Sequence, residues 1–241
     1  MYNIIQLLSG PRNISTALMY SFESRGDTQV VDEPFYACYL SLNKIEYHPA
    51  TEEILKEQSS NPQEVVDQLL QGNFDKPNLF IKNMAHHLEG FDYSYSYDVS
   101  NVFLIRDPRQ LINSFAKVIK APVASDLGLE RELELFQEIC AKGKKVPVVI
   151  DSGQLLKDPP KVLKKLCRRL DIPFTEKMLS WRKGPRKEDG VWARHWYRNV
   201  HGSTGFEKQK GSEDPLNENF RWLYDEVMPY YRELFENAIK A

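Results

Sequence analysis

The chain has 241 residues, 41% of them apolar and 27% charged, with a formal net charge of −2, the balance of an ordinary globular protein long enough for one sizeable core. Charges of both signs are interleaved, which leaves no basic footprint for nucleic acid or an anionic membrane, so any anion site must be local. No apolar run has the length of a membrane span, and no leader-like segment opens the chain.

The first apolar run, Ile4 to Leu8, is followed by Ser9-Gly10-Pro11-Arg12-Asn13-Ile14-Ser15-Thr16, which reads as strand, tight turn and helix start. A helix start offers unpaired N–H groups and the positive end of a dipole. With Arg12 for charge and the Ser15 and Thr16 hydroxyls as donors, the turn is a candidate cradle for phosphate or sulfate. It is not a Walker A loop, because Ser15-Thr16 stands where Gly-Lys would fall. The bland reading, a capped helix end with a surface arginine, is equally compatible with this turn alone.

A second strand over Gln29 to Val31 ends in Asp32-Glu33-Pro34. Pro34 suits a first helical position, so either carboxylate could cap that helix, Asp32 the better of the two. Asn61-Pro62 opens another helix. The third strand, Leu79 to Ile81, leads into Lys82 and then His86-His87. Neighbouring residues on a strand or turn point apart, so at most one imidazole enters a shared crevice, and no metal site is expected from this spacing. Phe35, Tyr36 and Tyr39 supply aromatic surface after the second strand, and the alternation Tyr93, Tyr95, Tyr97 suggests a strand edge.

The fourth strand, Val102 to Ile105, runs into Arg106-Asp107-Pro108, with Ser114 two turns into the following helix. An arginine at a strand's carboxyl end faces the crevice where open α/β sheets bind ligands. The fifth, Val146 to Ile150, precedes Asp151, and Asp158-Pro159-Pro160 caps a helix with Val162, Leu163, Leu166 and Leu170 on one face. Lys183 to Gly211 is a long, charged loop, and the last helix, Phe220 to Leu234, contains Pro229 and should bend there. Trp192, Trp196 and Tyr197 of the long loop could stack on a base or anchor the loop, anchoring being favoured. The strand runs are near-continuous, as in strands buried on both faces. They imply a single α/β domain over 1–241, three-layered, with a mainly parallel sheet of about five strands and helices on both faces. Cys38, Cys140 and Cys167 have no metal-ligand or CxxC spacing and read as buried reduced thiols of a cytoplasmic protein.

The order P-R-x-x-S-T after the first strand and R-D-P-(x)5-S after a later one resembles the phosphosulfate loop and 3′-phosphate motif of sulfotransferases that use 3′-phosphoadenosine-5′-phosphosulfate, PAPS. The segment Val149 to Leu156, the Asp158-Pro159 turn with its helix, and Gly184-Pro185, Asp189-Gly190-Val191-Trp192 and Ser203-Thr204-Gly205-Phe206 resemble later parts of the same family. The resemblance implies that Gly10 to Thr16 bind the donor, with Arg12, Ser15 and Thr16 on the 5′-phosphosulfate and Arg106 and Ser114 on the 3′-phosphate. Arg182 or Arg186 would supply a late-loop contact, Arg186 being the one carried forward. Arg12 replaces the lysine of many members, and Asn13-Ile14 replaces their Ser-Gly.

The resemblance further implies a P-loop-type fold and transfer of a sulfuryl group to a hydroxyl or amine of a small-molecule acceptor, with adenosine 3′,5′-bisphosphate as product and no compulsory metal. Arg12 and Lys82 would meet developing charge and Glu33 would take the acceptor proton, with His86 or His87 as rival bases. Phe35, Tyr36, His86 and His87 would line the acceptor site. The alternatives are a P-loop small-molecule kinase or NTPase, for which Asp151 is the fair Walker B candidate, and a non-catalytic nucleotide-binding protein. Acceptor identity and oligomeric state stay open.

Overall fold

The computed structural model describes residues 2–43, 48–117, 121–207 and 213–241; positions 208–211, the end of the long loop expected over Lys183 to Gly211, lie outside them. Each of the five apolar runs becomes a strand: β1 (Asn3–Ser9), β2 (Thr28–Asp32), β3 (Asn78–Met84), β4 (Ser100–Ile105) and β5 (Val148–Asp151). A two-residue sixth, β6 (Ala238–Ile239), was not foreseen from the sequence. The sheet has the order β2-β3-β1-β4-β5-β6, with every pairing parallel.

Helices cover both faces: α1 (Ser15–Glu23), α2 (Tyr36–Leu42), α3 (Thr51–Glu57), α4 (Pro62–Gln71), α5 (Pro108–Phe115), α6 (Ala124–Leu127), α7 (Leu129–Lys142), α8 (Ser152–Lys157), α9 (Pro159–Arg169), α10 (Ala193–Trp196), α11 (Arg198–Gly202) and α12 (Arg221–Glu236). Strand side chains alternate between two cores. Ile5, Leu7, Phe80, Val102 and Leu104 pack with α1 and α9, whereas Leu8, Leu79, Ile81, Phe103 and Ile105 pack with α5, α7 and α12. Both faces are apolar, which is why these strands read as continuous runs.

The helix starts follow their capping residues. Asn61 accepts from the Gln63 amide, Asp107 from Arg109 and Gln110, and Asp158 from Lys161. Several expectations are corrected. Pro34 does not open a helix: α2 begins at Tyr36 with no side-chain cap. Tyr93 to Tyr97 lies in a 3-10 turn, where Tyr95 is buried on Gln6 while Tyr93 and Tyr97 both donate to Glu138. Cys140 is exposed, although Cys38 and Cys167 are buried. The last helix carries Pro229 inside it, as the sequence indicates. Among the described residues no helix is long and apolar enough to cross a membrane.

Connections leave β1 on one side toward β2 and β3, and reach β4 on the other. The carboxyl ends of these strands therefore open at a topological switch point, the place where such sheets bind ligands. The turn after β1, Asp32 and Glu33, Lys82 and Arg106 all lie there.

Candidate functional site

Two groups of side chains meet at the switch point. The first joins the turns that follow β1 and β4. Arg106 Nη1 donates to the Arg12 carbonyl at 2.5 Å, and Arg12 Nε donates to Ser114 Oγ at 3.2 Å. Asn13 donates to the Leu104 carbonyl at 2.6 Å and accepts from the Ile14 amide, so the turn is tied to β4 directly. Arg106 is 7% exposed and neither it nor Arg12 has an ion-pair partner among the described residues. Burial, and then the neighbouring Arg12, lower Arg106 to about 10. Two adjacent guanidiniums, neither ion-paired among the described residues although Asp107 and Asp151 act on Arg106 from farther off, lie beside buried Ser15 and Thr16 at the start of α1 and form a cationic site suited to an anion.

Backbone geometry supports the turn. Arg12 has φ 57°, a left-handed conformation that costs a non-glycine residue about 1–3 kcal/mol. Gly10 is needed for a different reason: a Cβ there would stand 2.5 Å from the Leu127 carbonyl oxygen at the end of α6. Gly10→Ala is expected to push the α6–α7 turn off the loop and to cost about 1–3 kcal/mol. Thermal unfolding checks this, and an unchanged midpoint would show that the turn yields instead.

The second group is a buried charge cluster. Asp32 and Lys82 are register partners on β2 and β3, and Lys82, 1% exposed, donates to Asp32 Oδ1 at 2.9 Å, to Glu33 Oε1 and to the Tyr197 hydroxyl at 2.7 Å. Tyr197 in turn donates to Asp32 Oδ2 at 2.7 Å and receives the Trp192 indole N–H at 3.2 Å. The Gly190 amide also reaches Asp32. Thr16 lies against the Tyr197 hydroxyl, which joins the cluster to the first loop. Glu33 has φ 43° and is held by backbone bonds: its N–H donates to the Lys82 carbonyl at 2.7 Å and its carbonyl accepts from Gln58 at 3.0 Å.

Burial alone would lower the Lys82 ammonium; Asp32 and Glu33 more than offset it and hold the ammonium above its ordinary value. Burial raises Glu33, Lys82 opposes that shift and Asp32 adds to it, leaving the carboxyl above its usual range. Glu33 Oε2 looks toward His87 Nδ1 across 3.8 Å, and that nitrogen has no hydrogen-bond partner among the described residues. Burial, His86 and Lys82 keep His87 well below the usual imidazole value, so the contact is not an ion pair. His86 is lowered to about 4, by burial and then His48. His87 lies between the rings of Tyr36 and Tyr39, with centroids 4.4 and 5.0 Å away.

The structure therefore brings together Arg12, Arg106 and Ser114 in one group, and Glu33, Lys82 and His87 in the other. Asp32 is no helix cap, because its oxygens are taken by Lys82, Tyr197 and Gly190. Phe35 is a core residue whose ring stacks on Phe91 and Tyr95, leaving Tyr36 beside His87. Arg186 is also placed elsewhere. It pairs with Glu23 at the far end of α1, bonds the carbonyls of Arg182, Gly184 and Pro185 and lies over the Tyr20 ring. Asp151 caps α8 through the Gln154 amide and accepts from Tyr231. For Tyr197 the sequence suggests base stacking or loop anchoring, neither of which places it on Asp32 and Lys82. Nothing in the residue pattern could place it 165 positions away from Asp32, because the segment that carries it has no strong period.

A family profile described as "Sulfotransferase domain" matches residues 2–238. A curated relative from Arabidopsis thaliana, "Branched-chain-amino-acid aminotransferase-like protein 1", is 39% identical over 232 residues, covering 96% of this chain. A second Arabidopsis thaliana protein, "Branched-chain-amino-acid aminotransferase-like protein 2", is 33% identical over 232 residues, covering 96% of this chain. The chain spans 41% of the length of each. Among solved structures, the sulfotransferase domain from the curacin biosynthetic pathway superposes with a TM-score of 0.57 at 16% identity, over 98% of both chains. A mouse sulfotransferase complexed with PAP superposes with a TM-score of 0.53 at 14% identity, over 98% of this chain and 86% of that one. The profile spans nearly the whole sequence and the fold agrees with it: this chain belongs to the sulfotransferase domain family.

Proposed function

We propose that the protein is a PAPS-dependent sulfotransferase acting on a hydroxyl or amine of a small molecule, as one cytoplasmic domain over 1–241. The observation that carries this reading is the meeting of Arg12, Arg106 and Ser114, two guanidiniums with no ion-pair partner among the described residues. PAP bound to the mouse structure agrees with a donor of this class. PAPS, when bound, supplies a sulfuryl group already joined to a phosphate leaving group, so departure needs no metal.

The chain's residues divide the work. Arg106 and Ser114 hold the 3′-phosphate, while Arg12, Ser15, Thr16 and the opening amides of α1 hold the 5′-phosphosulfate, the end that is transferred. Lys82 directs an ammonium at charge that develops during transfer. Tyr197, bonded to both Lys82 and Asp32, fixes the direction of that ammonium. Glu33, raised by burial above the ordinary carboxylate range, is better suited than an exposed carboxylate to take a proton. Tyr36, His86 and His87 border the acceptor side. The kinase reading needs Asp151 on a metal, and both Asp151 oxygens already have donors.

Calorimetric titration with adenosine 3′,5′-bisphosphate, beside ADP and Mg-ATP, tests the reading: the bisphosphate should bind without metal and more tightly than either. Preference for Mg-ATP would favour the kinase. Arg106→Ala should weaken the bisphosphate by about 1.5–3 kcal/mol, the worth of a charge-assisted bond. The same change should leave 5′-AMP nearly unaffected. Equal losses for both nucleotides would remove Arg106 from the 3′-phosphate.

A further inference from the structure

Glu132 is a buried titratable side chain with no part in the scheme above. It sits in the first turn of α7, 1% exposed, on the stripe of Leu129, Leu133, Phe136 and Ile139 that the helix turns to the core. Its Oε1 has no hydrogen-bond partner among the described residues, and no ion pair reaches the carboxyl there. The carboxyl faces the Gly10 backbone, whose amide acts to favour its charged form. The approach is close: a Cβ on Gly10 would lie 3.5 Å from Glu132 Oε2, and one on Gly128 would lie 3.2 Å from the Gly10 Cα. The α6–α7 turn, Glu132 and the first residue of the anion loop thus form one packed contact.

A buried carboxylate is tolerated when a cation or several donors face it. Glu132 has no cation and at most the Gly10 amide beside it among the described residues. Burial accordingly holds its carboxyl well above the usual range, with the Gly10 amide as the opposing influence. Electrostatics points the same way, since a negative charge beneath Gly10-Pro11-Arg12 would oppose the anion that this loop is built to hold.

We infer that Glu132 is a positioning residue of the anion loop and works as a neutral carboxylic acid. It accepts from the Gly10 amide, fixing where the loop leaves β1, without placing negative charge under the site. This rests on the donor assignment made above.

The test is calorimetric binding of adenosine 3′,5′-bisphosphate to wild type, Glu132→Gln and Glu132→Leu, with an infrared difference spectrum between wild type and the Gln variant. Glutamine keeps the acceptor and the neutrality, so its affinity should stay within about twofold of wild type, whereas leucine keeps the bulk alone and should weaken binding about tenfold. The difference spectrum should contain the carbonyl band of a protonated carboxyl at neutral pH. A Gln variant that binds about tenfold tighter would mean that the native side chain is an ionised carboxylate repelling the ligand, and would overturn the inference. So would absence of the band, or a Leu variant that binds like wild type. If the Leu variant fails to fold, the Gln affinity and the band still decide. A wild type that binds no bisphosphate overturns the donor assignment and this inference together; a binding wild type with an indifferent Leu variant overturns this inference alone.

Discussion

Glu33→Gln is expected to lower kcat by about 10²–10⁴-fold, the usual worth of a positioned general base, while the affinity for adenosine 3′,5′-bisphosphate stays nearly unchanged. The separation follows from the geometry. Glu33 belongs to the cluster with Lys82, and the nucleotide-holding groups Arg12, Arg106 and Ser114 form the other group. Stability should move in the opposite direction from activity. The folded carboxyl is raised above its unfolded value, so the native state binds more protons and loses stability as pH rises from the unfolded value through the folded one. Glutamine removes that loss and leaves Lys82 with Asp32, a balanced pair. The variant should therefore melt at or above the wild-type temperature at neutral pH.

The pH profile adds a signature that a merely structural Glu33 would not produce. A base acts when deprotonated, so wild-type kcat should rise with pH along a limb placed above the ordinary carboxylate range, and Glu33→Gln should lack that limb. Steady-state kinetics with PAPS and a responsive acceptor, run beside thermal melts, separates the cases. Full activity in the variant would move the base to His87, whose unpartnered Nδ1 is 3.8 Å from Glu33 Oε2, or to His86.

Much of this arrangement was legible because the switch point gathers strand ends, and strand ends are where apolar runs stop. Ser9 to Thr16, Asp32-Glu33, Lys82 and Arg106 each follow such a run, and the parallel register that sets Asp32 beside Lys82 needs only adjacent strands of matched start. What stayed hidden was set by long-range packing. β6 has two residues and is fixed by pairing with β5, with the Gln154 side chain bonding the Ala241 amide just beyond it. Arg12 and Glu33 hold positive φ without being glycine, so the residue type gives no sign of the strain. Tyr197 arrives on an irregular segment. Glu132 did carry a signal: three positions after Leu129 and one before Leu133, it is an acid on an apolar stripe.

Lys82→Met should cost both stability and catalysis, for reasons that a second substitution can pull apart. Among the described residues Lys82 is the sole cation bonded to the buried carboxylates Asp32 and Glu33, and removing one member of a buried ion pair costs about 3–5 kcal/mol because the remaining charge is stranded. Here the lower end is expected, since Glu33 is already raised by burial and can hold a proton, and Asp32 keeps the Tyr197 hydroxyl and the Gly190 amide. That proton requirement sets a sign: the melting temperature of Lys82→Met should fall relative to wild type as pH rises, because the stranded carboxylates must then ionise. Lys82→Met with Asp32→Asn removes the excess charge and should recover most of the lost stability, a coupling measurable in a double-mutant cycle. Activity should not return. Loss of a preorganised cation at developing charge lowers kcat by about 10²–10³-fold, and neutralising Asp32 restores no cation. A double variant as active as wild type would confine Lys82 to a structural role and leave Arg12 as the cation that meets the transferred group.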